Sequence, residues 1–207
     1  MFEQSLAGLI EPKEPPSHWT SHLLQDIAEI KGGHAFKSKQ YVEHGHFVLR
    51  TVNILPNGEI SNENAKFISE EDATTHSNFA LQPLDTLFVM VGATLGKVGL
   101  ITNFDLPALL NQNMWVIRGR EAEIVDPHFL HFLFRQASKR ATSKVVGTAR
   151  GFLKRDDVRL LEVRLPPIDE QRRLITQISE LKSLAAGGLQ SYGDAVTNID
   201  QLRQSLL

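Results

Sequence analysis

LPPIDEQRRLITQISELKSLAAGGLQSYGDAVTNIDQLRQSLL, residues 165–207, is the stretch whose period decides the architecture. Pro166-Pro167 punctuates the chain. From Ile168 onward Leu174, Ile178, Leu181, Ala185, Gly188, Tyr192, Ala195, Ile199, Leu202 and Leu206 are separated by alternating steps of four and three. That spacing is the a/d seam of a heptad helix. Pro167 suits the first helical position, where its missing N–H is no loss, and Asp169 and Glu170 complement the positive end of the helix dipole. Roughly 40 helical residues at about 1.5 Å each span about 60 Å, longer than the preceding domain covers, so part of the seam needs a partner. Leu174, Ile178, Leu181, Tyr192, Ile199 and Leu202 are the expected seam residues, and Ile175, Leu189 and Val196 widen the apolar face enough for a second partner. Ala185-Ala186-Gly187-Gly188 is the weak point, since glycine costs about 1 kcal/mol relative to alanine. Close helix approach and a helix break both fit there.

Upstream, the patterns are shorter. Residues 158–165 (VRLLEVRL) read as a strand, and 143–151 (SKVVGTARG) as a small polar loop bounded by glycine. In residues 127–142 (PHFLHFLFRQASKRAT), Phe129, Leu130, Leu133 and Phe134 fall on one helical face, with Pro127 in the first turn and Arg135, Lys139 and Arg140 toward the end. Between Trp19 and about residue 120, apolar bursts of three to six residues alternate with turn signals, among them 47–49, 52–55, 86–91, 98–101 and 114–117. β-Branched and aromatic runs bounded in this way are strands, and Pro56-Asn57-Gly58 is a turn because Asn-Gly accepts positive φ. Residues 1–18 carry Pro12, Pro15 and Pro16 without a sustained period and read as an arm. The expected fold class is α+β: an arm over 1–18, a mixed α/β globular domain over 19–165, and a long coiled-coil-forming helix over 166–207.

The composition narrows the function. The 207 residues contain no cysteine, which excludes a disulfide framework, thiolate metal sites and a cysteine nucleophile. No run approaches about 18 apolar residues, so a cytoplasmic protein that does not span a membrane is expected. The net charge of −2 and the sequence pI near 6.4 exclude a wholly basic nucleic-acid coat, so any polyanion site must be local. It is local here: residues 131–164 hold nine Lys and Arg against three acids, whereas residues 57–72 hold five acids against Lys66. A basic stretch with loops rich in Asn, Gln, Thr and Arg suits duplex DNA, where cations neutralise phosphates and Arg, Asn or Gln read base edges.

Other chemistries fail on spacing. The segment 92–99 (GATLGKVG) has three residues between its glycines where a phosphate loop needs four, and Val98 stands where Ser or Thr would hold magnesium. It is a glycine-rich strand connection or a loop presenting Thr94 and Lys97 to a ligand. His34, His44, His46, His128 and His131 do not compose a metal motif, because His128-x-x-His131 lacks the glutamate of H-E-x-x-H. No nucleophile elbow and no methyltransferase motif occurs, so no catalytic residues are expected. From their place in glycine-bounded polar loops and positive segments, Lys37, Lys39, Lys97, Lys144 and Lys154 are expected to contact phosphates. Thr94, Thr148 and Arg150 are expected at or near bases.

The order of these pieces resembles a known family. Residues 19–36 (WTSHLLQDIAEIKGGHAF), Leu49-Arg50-Thr51-Val52-Asn53-Ile54, Leu84-Asp85-Thr86-Leu87, the 92–99 segment, Asn111-Gln112-Asn113, Gly147-Thr148-Ala149-Arg150 and above all Leu165-Pro166-Pro167-Ile168-Asp169-Glu170-Gln171 resemble the DNA specificity (S) subunits of type I restriction-modification systems. The resemblance runs from about Trp19 to the C-terminus. It implies a target-recognition domain followed by a conserved helix, one of each where family members generally carry two. The chain is then a half subunit, either a natural one that homodimerises or the N-terminal part of a longer chain, pairing through antiparallel helices with a second copy or a second half. The resemblance further implies a non-enzymatic reader of half of a bipartite DNA target that docks modification (methyltransferase) subunits and, with them, a restriction subunit. No cofactor is expected on this chain; S-adenosylmethionine, ATP and Mg are expected on the partners. A dimerising scaffold or ligand-binding protein without DNA specificity is the alternative.

Overall fold

The computed structural model describes residues 2–143 and 152–184. In chain order the elements are α1 (Phe2–Ile10), β1 (Thr20–Leu23), α2 (Leu24–Ile27), β2 (Ala28–Gly32), β3 (Tyr41–Val42), β4 (His46–Leu49), β5 (Phe67–Ile68), α3 (Glu70–Thr75) and β6 (Thr86–Val89). There follow β7 (Val98–Leu100), β8 (Ala108–Leu110), β9 (Met114–Gly119), α4 (Pro127–Ser143), α5 (Arg155–Arg159), β10 (Glu162–Leu165) and a helix over 168–184 (α6). Two four-stranded sheets form, in the orders β2-β9-β6-β7 and β3-β5-β4-β8. The first is antiparallel throughout, and the second contains one parallel pair, β4 with β8. β1 pairs antiparallel with β10, bringing Thr20 opposite Leu165. The architecture is mixed α/β, as expected.

The first sheet is buried on both faces, which is why β6 reads as a continuous apolar run. Phe88, Trp115 and Ile117 meet the helices on one side, where Phe129, Leu130, Leu133, Phe134, Ala137 and Ala141 of α4 pack. The Phe88 ring stacks at 6.0 Å on Trp115 and meets Phe134 edge-on at 5.3 Å. Leu87, Val89, Met114 and Val116 point the other way, against Phe47, Leu49 and Leu110 of the second sheet. Period-two alternation thus joins three layers. Asp85, 1% exposed at its side chain, clamps β6 to β9 by accepting from Arg118 Nε and Nη2 at 2.6 Å each, and this bond holds the guanidinium above its ordinary pKa.

Upstream of the C-terminal helix, three expectations change. Residues 1–18 are in part a core element and not an arm: Leu6 and Ile10, one helical turn apart on α1, are buried against the α4 layer, and Glu11 pairs with Arg140. Residues 52–55 are not a strand, because the buried Asn53 side chain takes over the local backbone. Its Oδ1 accepts from Arg50 N at 3.1 Å, and its Nδ2 donates to Ser61 O at 3.0 Å and Glu63 O at 3.2 Å, which closes a 3₁₀ turn at Thr51–Asn53. Residues 158–165 are split. Asp157 Oδ2 accepts from Lys154 N at 2.7 Å and caps α5, which takes in Val158, and only Glu162–Leu165 is strand. The Asn57-Gly58 turn forms as expected, with Gly58 at φ 90° and Leu55 N donating to Glu59 O at 2.9 Å.

α6 begins where the Pro167 signal puts it, and its first turns lie on the domain. Ile178 is 1% exposed within the α4 core, and Leu174 and Ile175 pack there too. Leu174 and Ile178 therefore face their own domain and not an outside seam, because α4 offers apolar surface within reach. Leu181 is half-buried. Tyr192, Ile199, Leu202 and the Gly187-Gly188 pair lie outside the described residues. Lys182 Nζ sits 4.8 Å from the centroid of the α4 Phe132 ring, a cation–π contact between the two helices.

His131 on α4 is buried beneath this contact. Desolvation, then Arg135, Lys182 and His128, push its imidazole down to about 3 from 6.5. Above pH 6.5 the ring is neutral folded or unfolded and has no effect. As pH falls from 6.5 toward 3 only the unfolded chain takes up the proton, so stability is expected to drop by up to about 1.4 kcal/mol per pH unit across that window. His131→Gln should flatten this slope in urea unfolding curves measured at pH 7, 6, 5 and 4.

Candidate nucleic-acid interface

Antiparallel pairing decides which loops meet. Gly32 lies opposite Trp115, Met114 opposite Val89, and Val98 opposite Phe88. The exit of β2, the β8–β9 turn and the β6–β7 connection therefore share one end of the first sheet. Backbone bonds knit them together: Gly33 N to Met114 O at 3.2 Å, Gln112 N to His34 O at 2.8 Å, and Met90 N to Asn113 O at 3.2 Å. A fourth strand of chain joins them, with Leu153 N donating to Met90 O at 3.0 Å and Phe152 bridging Val91. The connection 90–97 turns through Gly92 at φ 82° and Gly96 at φ 92°, values that glycine adopts without steric cost. The 92–99 segment thus links β6 to β7, with Thr94 half-buried in the connection.

This end presents exposed Gln112 and Asn113, exposed Lys154 and Arg155, and half-buried Thr94. Amide side chains beside cations are what base edges and phosphates require. Gln112, Asn113 and Arg155 were not among the expected contacts. Asn113, at φ 69°, had a signal in its polar Asn-Gln-Asn context, whereas Arg155 had none beyond charge, since its nearness to Gly32 is purely tertiary. Lys97 is turned inward: its Nζ donates to Ile54 O at 2.9 Å and ties the 51–60 hairpin to β7. Lys37 and Lys39 are exposed around the 3₁₀ turn Ser38–Gln40, which Gln40 Nε2 fastens to Asp72 of α3 at 3.0 Å. They stand on the second-sheet side, beside an aromatic group in which His34 lies 4.3 Å from His76 and 5.0 Å from Phe79. Burial and then His76 hold His34 below its ordinary pKa. Lys144, Thr148 and Arg150 lie outside the described residues. Among the described residues no group of three or more His, Asp or Glu could hold a metal ion, and no helix is long and apolar enough to cross a membrane.

The junction motif has its own geometry. Gln171, with a fully buried side chain, accepts from Asp126 N at 2.9 Å and donates through Nε2 to Ile124 O at 2.9 Å and Pro166 O at 3.0 Å. Glu170 accepts from Trp19 Nε1 at 3.1 Å, and His18 Nε2 lies 2.8 Å from its other oxygen. The His18 bond, and secondarily that of Trp19, holds the Glu170 carboxyl below its usual range. The two residues that end the Pro-Pro-Ile-Asp-Glu-Gln run thus bind the start of the domain and the α4 cap to α6.

A domain of this topology, closed at its two ends on such a junction, matches one family. Residues 16–186 fit the family described as type I restriction modification DNA specificity domain, and the chain belongs to that family. The MjaVIII type I restriction enzyme specificity subunit of Methanocaldococcus jannaschii is 23% identical over 192 residues, covering 89% of this chain and 44% of the relative. The EcoKI specificity subunit of Escherichia coli K12 is 27% identical over 190 residues, 87% of this chain and 39% of the relative. The chain thus spans less than half the length of these curated relatives. Among solved structures, the HsdS subunit from Thermoanaerobacter tengcongensis superposes with a TM-score of 0.65 at 16% identity over 90% of this chain and 43% of that one. The type I S subunit from M. genitalium gives 0.60 at 14% identity, over 92% and 48%. These two share the fold.

Proposed function

We propose that the chain reads one half of a bipartite duplex DNA target and carries that specificity to a type I restriction-modification complex. The observation that supports it most is the meeting of amide, cationic and glycine-bearing loops at one end of the first sheet, in a member of a DNA specificity family. The chain itself is non-catalytic in this reading. Modification subunits dock on the C-terminal helix and supply S-adenosylmethionine chemistry, and a restriction subunit adds ATP- and Mg-dependent cleavage, all in the cytoplasm. A second copy or a second half pairs along the coiled-coil helix beyond residue 184 through Tyr192, Ile199 and Leu202, and so sets two readers a fixed distance apart. Lys37, Lys39, Lys144 and Lys154 hold phosphates; Thr94, Thr148 and Arg150 lie at bases.

Salt titration tests this. Each phosphate contact adds about one unit to the slope of log K against log salt, so Lys154→Ala is expected to lower that slope by about 1 and to weaken all sequences alike. Lys97→Ala should leave the slope in place, because its ammonium is engaged at Ile54. DNA retention that ignores salt would favour the scaffold reading.

A further inference from the structure

We propose that Gln112 reads an adenine in the major groove, its side-chain amide donating to N7 and accepting from the N6 amino group, and so sets one base of the target. The inference rests on the DNA-reading function proposed above. It begins with what each residue of the Asn111-Gln112-Asn113 turn does for the fold. Asn111, 9% exposed, bridges His34 through its backbone, and its Nδ2 donates to the Tyr41 hydroxyl at 3.5 Å. Asn113 takes φ 69°, a left-handed conformation that asparagine tolerates better than most residues, and its carbonyl accepts from Met90 N at 3.2 Å. The bond that Gln112 gives the fold comes from its backbone N–H, to His34 O at 2.8 Å, and any residue but proline would supply it. Among the described residues its exposed side-chain amide makes no hydrogen bond.

Its place gives that free amide a meaning. Backbone bonds on either side of it, His34 N to Leu110 O at 2.9 Å and Met90 N to Asn113 O, tie the turn to two neighbouring segments, so the side chain projects from a fixed base. Lys154 and Arg155 are exposed at the same end of the sheet. The Arg155 guanidinium reaches over Gly32, 3.3 Å from where a Cβ would stand, beside the Gly33 that packs on the Asn111 carbonyl. Cations placed there suit the phosphates that flank a groove. A carboxamide carries one donor and one acceptor side by side. Adenine matches it with N7 and N6–H on its major-groove edge, whereas guanine offers two acceptors there, and cytosine and thymine one polar group each, so adenine is the base that closes both bonds.

The test uses the full chain, a randomised duplex pool and sequencing of the bound fraction. Wild type is expected to enrich one position for adenine, and Gln112→Ala, which keeps the backbone N–H, to lose that preference by about tenfold at that position alone. Replacing that adenine by 7-deazaadenine, which lacks the N7 acceptor, should weaken wild type and leave Gln112→Ala unmoved. Asn113→Gly keeps the positive φ and should keep the adenine preference. An unchanged base profile in Gln112→Ala, a change confined to a G·C pair, or a 7-deazaadenine effect that persists in the variant overturns the assignment while leaving salt-dependent binding intact. A uniform loss across all sequences in Gln112→Ala also overturns it, because a structural or phosphate-holding residue behaves in that way. A wild-type chain with neither base enrichment nor salt dependence overturns the DNA-reading function, and the role of Gln112 with it.

Discussion

Gln171→Ala is expected to lower the unfolding free energy by about 3 kcal/mol, because it orphans three buried backbone groups at once, each worth roughly 1–3 kcal/mol when unpaired and partly recovered by water. The groups are the Asp126 N–H, at the cap of α4, and the Ile124 and Pro166 carbonyls. The variant should therefore unfold at lower urea, with α6 loosened from the domain before the sheets part. Trp19 makes this visible: its indole is buried and bonds Glu170, the adjacent residue, so its fluorescence follows the junction. Gln171→Glu should be worse at neutral pH than Gln171→Ala, since a carboxylate would face two carbonyl oxygens, and should recover as acid protonates it. Glu170→Gln keeps an acceptor for Trp19 and should cost under about 1 kcal/mol. Equal midpoints for Gln171→Ala and wild type would remove the side chain from the scaffold.

Gly33→Ala is expected to cost about 3 kcal/mol and to abolish sequence-specific DNA binding together. A Cβ there would lie 2.0 Å from Asn111 O, 2.5 Å from Asn111 C and 2.7 Å from Leu110 O, all backbone. That backbone cannot step aside, for His34 N donates to Leu110 O at 2.9 Å and Gln112 N to His34 O at 2.8 Å. Relief of the clash must separate the β2 exit from the turn that carries Gln112 and Asn113, so the fold and the candidate interface fail at one place. Gly32→Ala is the control. Its nearest neighbour is the end of the flexible Arg155 side chain at 3.3 Å, and stability within about 0.5 kcal/mol of wild type is expected. Urea midpoints and the bound-sequence profile of both variants check the pair.

Legibility in the sequence followed the range of each signal. The Asn57-Gly58 turn, the α4 stripe and the Pro167 helix start are spelled within a few residues, and each stands where its local chemistry puts it. Residues 52–55 misled because β-branched composition says strand, while the deciding bonds of Asn53 reach Ser61 and Glu63. Residues 1–18 misled for a related reason: one turn of apolar spacing, Leu6 to Ile10, carries little period and gains weight only against α4. Ile178 has the heptad spacing of a partner-facing residue, yet spacing says which side of a helix is apolar and not what covers it. Charge and glycine context singled out Lys154 and Thr94, which stand at the same end of the first sheet as Gln112 and Asn113, whereas Lys97 was legible only as a loop lysine and not as a donor to Ile54 O.

By itself the sequence determined the mixed α/β class, the start of a helix after Pro167, the absence of cysteine chemistry and the local concentration of positive charge, all properties of composition or of residues near one another in the chain. Tertiary structure alone decided which loops face the same way. Segments 32–36, 90–97, 111–113 and 152–155 are separated by up to about 120 residues, and the antiparallel register of β2, β9, β6 and β7 sets their ends side by side. Register is a pairwise property of strands, set by which apolar faces can be buried together, so no single segment contains it.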